Sequence, residues 1–173
     1  GIYPMLGYGI TECSPIVSVN ADLNGRRAAD ETVGWTFPSV EVKIDQPDYT
    51  GSGEVLVRGD NVMMGYYNDP YSTADVFTDG WFRTGDLGHL NKDGSLTITG
   101  RKKNLIILSN GENVSPEEIE YQLARIPEIK EVVVYTEGNL IGAEIFPEEN
   151  EMTDADLKVV LQERSDDYNA HDF

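Results

Sequence analysis

Three short motifs follow one another in residues 81–120, and each combines a glycine with charged side chains. They read Trp81-Phe82-Arg83-Thr84-Gly85-Asp86, then Thr99-Gly100-Arg101-Lys102-Lys103, then Asn110-Gly111-Glu112-Asn113-Val114-Ser115-Pro116-Glu117-Glu118. Glycine lets a ligand approach the backbone closely, while carboxylate and guanidinium groups bind hydroxyls and phosphates. The three motifs in this order indicate a nucleotide as the ligand rather than a protein partner.

The residues before and between these motifs favour short β-strands. Val40–Ile44 and Glu54–Arg58 alternate apolar and polar residues with period two, as half-buried strands do. Ser95–Thr99 predicts another strand, and Asp93-Gly94 before it is typical of a hairpin turn with positive φ. Several short strands at this spacing predict a small twisted sheet or barrel.

After Arg101 the pattern changes to a mixture of helices and strands. Leu105–Leu108 predicts a short strand, and Ser115-Pro116 predicts the start of a helix, with Ser115 as N-cap and Glu118 completing a capping box. The apolar stripe of this helix, before Pro127, consists of Ile119, Leu123 and Ile126.

Further along the chain, the sequence predicts a hairpin and a last helix. Val132–Tyr135 and Leu140–Phe146 are predicted strands around a tight turn at Gly138-Asn139. Thr153 is the predicted cap of the last helix, whose apolar face consists of Leu157, Val160 and Leu161. The composition changes at residues 100–104, which we interpret as a domain boundary. We therefore expect an α+β chain.

The bulk composition excludes several function classes. The 173 residues carry a formal net charge of −18, most of it in residues 112–173. Such acidity argues against nucleic acid as a partner, because phosphate binding needs clustered cations. No apolar stretch is long enough to span a bilayer, and we expect a cytoplasmic protein. The single cysteine, Cys13, excludes an internal disulfide and fits a reducing compartment; we interpret it as a packed, inert thiol.

The motifs together resemble the adenylate-forming enzymes, which include acyl-CoA synthetases, luciferases and the adenylation domains of peptide synthetases. A fourth motif upstream, Gly7-Tyr8-Gly9-Ile10-Thr11-Glu12, is similar to the adenine- and magnesium-binding loop of that family. The resemblance runs in register from about Ile2 to about Phe146. Among members, residues 103–106 and 109–113 are most similar to medium- and long-chain fatty acyl-CoA ligases.

The resemblance implies roles for the upstream loop. It implies that Glu12 binds Mg²⁺ and that Thr11 contacts a phosphate, whereas the residues alone would read as an ordinary polar loop. It places Tyr8 and Gly9 at the adenine. Tyr8 either stacks on the base through its ring or packs beneath the loop.

The resemblance also implies a nucleotide site downstream. Asp86 would accept hydrogen bonds from the two ribose hydroxyls, its alternative being a turn-capping acid. Arg101 would donate to the ribose and phosphate, its alternative being an exposed arginine at a strand end. Ile98 would lie against the nucleotide, or in the core as an ordinary strand residue.

Two further positions concern the second step of the family's reaction. Lys103 matches the hinge about which the small domain rotates between the half-reactions. Gly111 matches the glycine that lines the pantetheine channel of CoA, although Asn-Gly is also a common turn dipeptide. Ile107 departs from the family, in which many members carry a lysine there.

The expected organisation follows from these matches. Residues 1–101 would end the large adenylate-binding domain as a β-rich subdomain, residues 102–103 would form the hinge, and residues 104–173 would form a truncated α+β lid domain. The implied ligands are ATP, Mg²⁺, CoA and a carboxylic acid, and the remainder of a parent chain is an expected partner.

The expected parent enzyme joins a carboxylate to CoA through an acyl-adenylate. The family's Ser/Thr/Gly-rich phosphate loop and its activating lysine are expected outside these residues, so we expect the 173 residues alone to be inactive. Three alternatives stay open: an adenylation domain that loads a carrier protein, a luciferase-like enzyme, and an acidic module that only binds another protein.

Overall fold

The computed structural model describes residues 5–21, 28, 31–108, 111, 113–137 and 140–148. The chain divides into two compact units, Gly1–Leu105 and Ile106–Phe173. The described residues form mainly antiparallel sheet with few helices, which confirms the expected α+β class. Of the two architectures left open, the sheet is correct, because no sheet in these ranges closes into a barrel.

The first unit contains eight strands, one α-helix and two 3₁₀ turns in its described part. These are β1 Gly7–Gly9, a 3₁₀ turn Thr11–Cys13, β2 Ile16–Val19, β3 Trp35–Thr36, β4 Val40–Asp45, β5 Gly53–Gly59, α1 Pro70–Asp75, β6 Phe77–Thr78, β7 Trp81–Leu90, β8 Leu96–Arg101 and a 3₁₀ turn Lys102–Asn104. The second unit, as far as it is described, contains β9 Ile106–Ile107, β10 Asn113–Val114, α2 Pro116–Leu123, β11 Ile129–Glu137 and β12 Leu140–Pro147.

Strand β7 organises the first unit, because it pairs with β5, β6 and β8. The hairpin between β7 and β8 brings Asp86 opposite Arg101. Its turn includes Gly94 at φ +81°, as Asp93-Gly94 predicted. Strand β4 pairs with the other edge of β5, while β1, β2 and β3 form a separate three-stranded sheet.

The core of the first unit lies between these sheets. Phe82 of β7 is almost completely buried, and its ring meets Phe77 edge to face with the centroids 5.6 Å apart. The other buried members of this core are Tyr8, Cys13, Val17, Val40, Val55, Val57 and Leu96. Tyr8 therefore belongs both to the core and to the predicted site.

The start of α2 differs from the predicted capping box. Ser115 occupies the N-cap position, but its side chain makes no capping hydrogen bond. Its Oγ instead donates to Glu117 Oε2 at 3.0 Å. The hydroxyl proton is thus used on a side chain two residues ahead, and the serine oxygen accepts no capping hydrogen bond from the backbone N–H of Glu118. The predicted box is therefore wrong, although the predicted helix start is correct.

The end of α2 also differs from the prediction. The helix ends at Leu123, so Ile126 lies beyond it. Ile126 N donates to Leu123 O at 3.0 Å, a three-residue bond that tightens the turn. A residue before proline is biased away from the α region, so Pro127 disfavours helical geometry at Ile126.

The predicted hairpin strands of the second unit are confirmed as β11 and β12. Their pairing runs from Ile129 opposite Pro147 to Glu137 opposite Leu140. Their predicted turn, Gly138-Asn139, and the predicted last helix at Thr153, Leu157, Val160 and Leu161 lie outside the described residues. None of the described helices has the length and apolar character needed to cross a membrane.

Replacing Phe82 with Ala should lower the free energy of unfolding of the first unit by about 3–5 kcal/mol, because it leaves a cavity in the core. Urea denaturation followed by tryptophan fluorescence reports on this unit, since both tryptophans, Trp35 and Trp81, belong to it. Tyr71→Ala, at an exposed ring on α1, should change stability by less than about 0.5 kcal/mol. Equal effects of the two changes would contradict this placement of the core.

Candidate nucleotide site

The carboxylate of Asp86 joins three strands of the first unit. The residue is only 5% exposed, and its Oδ2 accepts a hydrogen bond from the Tyr8 hydroxyl at 2.6 Å. Its Oδ1 accepts from Arg101 Nε at 2.9 Å. Tyr8 lies in β1, Asp86 in β7 and Arg101 in β8, so the structure brings together three residues that the sequence predicted at a nucleotide site.

A bulge in β7 places the Asp86 side chain. Leu56 pairs with Arg83 and Glu54 pairs with Leu87, so β7 has two more residues than β5 between these pairs. Within the bulge, Gly85 has φ +73°, which favours glycine.

Thr84 holds the bulge by two hydrogen bonds. Its Oγ1 donates to Val55 O at 2.7 Å and accepts from Asp86 N at 3.0 Å. In the Thr-Gly-Asp sequence, the first two residues therefore determine the local backbone conformation and the third supplies the carboxylate.

The environment of the Tyr8 hydroxyl keeps it protonated. Burial raises the pKa of Tyr8 well above its usual range, and the hydrogen bond to Asp86 raises it further. The ring is 9% exposed, so its described neighbours cover most of its surface. Stacking of Tyr8 on a base stays a prediction. The hydroxyl contact is established by the geometry.

An open cavity of about 340 Å³ lies beside Arg101. Its lining residues are Thr84, Gly85, Arg101, Lys102 and Lys103. Three of the five carry a positive charge, and the other two, Thr84 and Gly85, offer backbone groups. Such a surface suits an anionic ligand with hydroxyl groups. The cavity also brings Lys103, the predicted hinge residue, next to Arg101.

Glu54 is a second buried carboxylate near this cavity, and the sequence did not single it out. The residue is 6% exposed. Its Oε2 accepts from Arg83 Nη2 at 2.6 Å and from Lys102 Nζ at 2.9 Å. The sequence did contain one signal that Glu54 is buried. Leu56 lies two residues further along β5, so its apolar side chain is on the same face as Glu54, which indicates that this face is buried.

The charges around Glu54 determine its ionisation. Burial alone would raise the pKa of Glu54, but the hydrogen bonds and charges of Arg83 and Lys102 outweigh burial and lower it. Because the folded-state pKa is the lower one, ionised Glu54 stabilises the fold above the usual pKa of a glutamate. This contribution is lost as pH falls through the lowered pKa.

Glu12 and Thr11 lie in the 3₁₀ turn after β1. Glu12 Oε1 accepts from the Tyr66 hydroxyl at 2.9 Å. In the described ranges no three His, Cys, Asp or Glu side chains cluster to hold a metal ion. A partly exposed carboxylate with one oxygen engaged by Tyr66 fits Mg²⁺ only if phosphate oxygens supply further ligands, as this ion often requires.

The other predicted residues occupy separate positions. Gly9 ends β1 beside Tyr8, and Ile98 of β8 is partly buried against the core. Gly111 is exposed and belongs to the second unit. Glu12 has its own partner, Tyr66, and makes no hydrogen bond or ion pair with Asp86 or Arg101 in the described part of the chain.

Cys13 is a packed thiol, as the sequence indicated. It is completely buried and unpaired in a disulfide. Burial, with a smaller contribution from the charge of Glu12, raises the pKa of Cys13 to about 11. A thiol with so little thiolate at neutral pH is a poor nucleophile.

The chain is similar to known enzymes in sequence and in structure. A profile described as AMP-binding enzyme matches residues 4–67. An indoleacetate–CoA ligase from Aromatoleum aromaticum is 41% identical over 158 residues, which is 86% of this chain and 31% of that protein. The long-chain-fatty-acid–CoA ligase FadD15 from Mycobacterium bovis is 42% identical over 138 residues, which is 79% of this chain and 22% of that protein.

Solved structures also match this chain. The crystal structure of ATP-bound MatB from Rhodopseudomonas palustris matches with a TM-score of 0.79 at 30% identity, covering 92% of this chain and 33% of that one. The chain thus spans about a third or less of the length of the proteins it matches. These similarities confirm the resemblance that the four sequence motifs predicted.

Replacing Tyr8 with Phe should lower the free energy of unfolding at neutral pH by about 1–3 kcal/mol, because Asp86 loses a buried hydrogen-bond donor. The folded-state pKa of Tyr8 is the raised one, so its hydroxyl stabilises the fold below about pH 10 and this contribution is lost as pH rises. The gap between wild type and Tyr8→Phe should therefore narrow by about 1.4 kcal/mol per pH unit above about pH 10.

Urea denaturation between pH 8 and 11 measures this gap. Tyr49→Phe is the matched control, because the Tyr49 ring is fully exposed, and it should follow wild type throughout. A gap for Tyr8→Phe that stays constant with pH would show that the tyrosine proton is not retained by the fold.

Proposed function

Because the chain belongs to the adenylate-forming enzyme superfamily, we propose that it is part of an ATP-dependent acyl-CoA ligase. In the first half-reaction the carboxylate of the acid attacks the α-phosphate of ATP, giving acyl-adenylate and pyrophosphate. In the second, the thiol of CoA displaces AMP and forms the thioester. The observation that carries this proposal is the buried Asp86 carboxylate, bound to Arg101 at the edge of a cationic cavity.

The geometry of Asp86 supports a role in binding the ribose. A carboxylate offers about four acceptor positions, and Tyr8 and Arg101 together use two of them. The remaining positions suit two adjacent hydroxyls. The Arg101 side chain is 48% exposed, so its other guanidinium nitrogens are available to a phosphate or to the ribose.

Glu12 is the proposed residue for holding Mg²⁺, with Thr11 at the phosphate. The ion, when bound, offsets negative charge on the phosphates of ATP. Tyr66 would orient the Glu12 carboxylate through its hydroxyl. Tyr8 and Gly9 of the same loop are the proposed adenine contacts.

Lys103 is the proposed hinge for the change between half-reactions. The compact units divide after Leu105, two residues beyond Lys103, which supports a hinge in this segment. Residues 1–101 are then the end of the large domain and residues 104–173 belong to the lid. Gly111, in the lid, is the proposed lining of the CoA channel.

A fatty acid is the proposed acyl substrate. Long-chain-fatty-acid–CoA ligases from several bacteria are about 38–42% identical to this chain. The indoleacetate–CoA ligase is identical to this chain to a similar degree, so an aromatic acid is the substrate to test beside a fatty acid. Both acids are largely apolar carboxylates.

Replacing Asp86 with Ala in the longer protein should raise KM for ATP about tenfold to a hundredfold, because a charge-assisted hydrogen bond to the ribose is lost. Steady-state kinetics with varied ATP measures this change. Glu41→Ala is the control, since Glu41 also pairs with an arginine, Arg58, but is exposed on β4. An unchanged KM for ATP in Asp86→Ala would remove the ribose assignment.

The 173-residue chain alone should catalyse no pyrophosphate exchange with ATP, Mg²⁺ and a fatty acid. The phosphate loop and the activating lysine that the resemblance requires are not among its residues. The assay follows incorporation of labelled pyrophosphate into ATP, with a longer protein that contains both elements as the positive control. Exchange by the short chain at a comparable rate would disprove this expectation.

A further inference from the structure

We propose that Glu54 is a positioning residue that anchors Lys102, so that the backbone change at the hinge begins after residue 102. The proposal rests on the proposed acyl-CoA ligase reaction and its hinge at Lys103. Glu54 is buried and is not one of the proposed nucleotide contacts. Its role would be to hold in place the residues on the large-domain side of the hinge.

The first observation is the way in which Glu54 is held. Its side chain lies in β5, in the middle of the sheet, and Arg83 of β7 donates to both of its oxygens, at 2.6 Å from Nη2 and 3.4 Å from Nε. Arg83 therefore fixes the orientation of the carboxylate. Lys102 then meets an acceptor whose position is already determined.

The second observation is the contrast among three consecutive cations. Arg101 is paired with buried Asp86, and Lys102 is paired with buried Glu54. Lys103 makes no side-chain hydrogen bond or ion pair with any described residue. The two residues before the proposed hinge are therefore anchored to the sheet, and the hinge residue is not.

The third observation is the local backbone. Lys102 begins a 3₁₀ turn that ends at Asn104, and the turn is closed by a long bond from Leu105 N to Lys102 O at 3.4 Å. A bond of this length is weak. The side-chain pair of Lys102 with Glu54 thus adds a restraint at the first residue of the turn.

These contacts indicate which residue to change. Removing Glu54 would leave Arg83 without its buried partner and endanger the fold. The Lys102 side chain is 51% exposed, so its ammonium group can be removed while Glu54 keeps Arg83. Lys102→Gln is therefore the test variant, Lys102→Arg retains the charge, and Lys92→Gln is a matched change at an exposed turn lysine.

The first experiment uses the 173-residue chain and needs no activity. Hydrogen–deuterium exchange of peptides spanning residues 101–106 should be at least about threefold faster in Lys102→Gln, because local opening of the turn becomes easier. Lys102→Arg and Lys92→Gln should exchange like wild type. Unchanged exchange in Lys102→Gln would overturn the anchor, whatever the activity of the longer protein.

The second experiment separates the half-reactions in the longer ligase. Lys102 also lines the cavity, so Lys102→Gln should raise KM for ATP. It should nevertheless lower kcat for thioester formation about tenfold more than it lowers kcat for pyrophosphate exchange, because only the second step requires the lid to move. Lys102→Arg should restore the rate. An equal loss in both half-reactions, or no loss in either, would overturn the positioning role.

The two proposals fail in different ways. If the unmodified longer protein forms neither acyl-adenylate nor thioester, the proposed function is wrong. The anchor is then decided by hydrogen exchange alone.

Discussion

The buried charge of Asp86 is the constraint on which the first unit depends. A carboxylate removed from water is costly unless donors surround it. Tyr8 and Arg101 supply those donors from two other strands, so β1, β7 and β8 must keep their positions relative to one another. The bulge at Thr84–Asp86 is part of the same arrangement, since it places the side chain where both donors reach it. A site residue thus also determines how the strands fit together.

Glu54 repeats this arrangement one strand away. Both acids are buried, and each receives a cation from the end of the β7–β8 hairpin. The chain as a whole is strongly acidic, yet its open cavity is lined by Arg101, Lys102 and Lys103. The buried acids explain how three adjacent cations are tolerated, because they reduce the repulsion between neighbours. Net charge alone would not have predicted a cationic cavity in this chain.

Local patterns predicted the α+β class and several strands, and pairs distant in sequence decided what the patterns missed. Alternating residues identified β4 and β5, and Asp93-Gly94 identified the β7–β8 turn, because these depend on neighbours in sequence. Glu54 was missed because its partner Lys102 lies 48 residues away. The capping box was wrong for another reason. The Ser115 hydroxyl can bond either the Glu117 carboxylate or a backbone N–H of the first helical turn, and the sequence pattern does not show which of the two is favoured.

The order of residues 101–103 then has a physical meaning in the proposed reaction. A ligand-binding arginine must keep its position while ATP is bound, and Asp86 provides that restraint. A hinge must change its backbone without breaking costly buried contacts, so it is best placed at the first residue without a buried partner. Lys103 meets this condition among the described residues, whereas Lys102 does not. A hinge one residue earlier would have to break the Lys102–Glu54 pair in each cycle, and that cost would fall on the step that moves the lid.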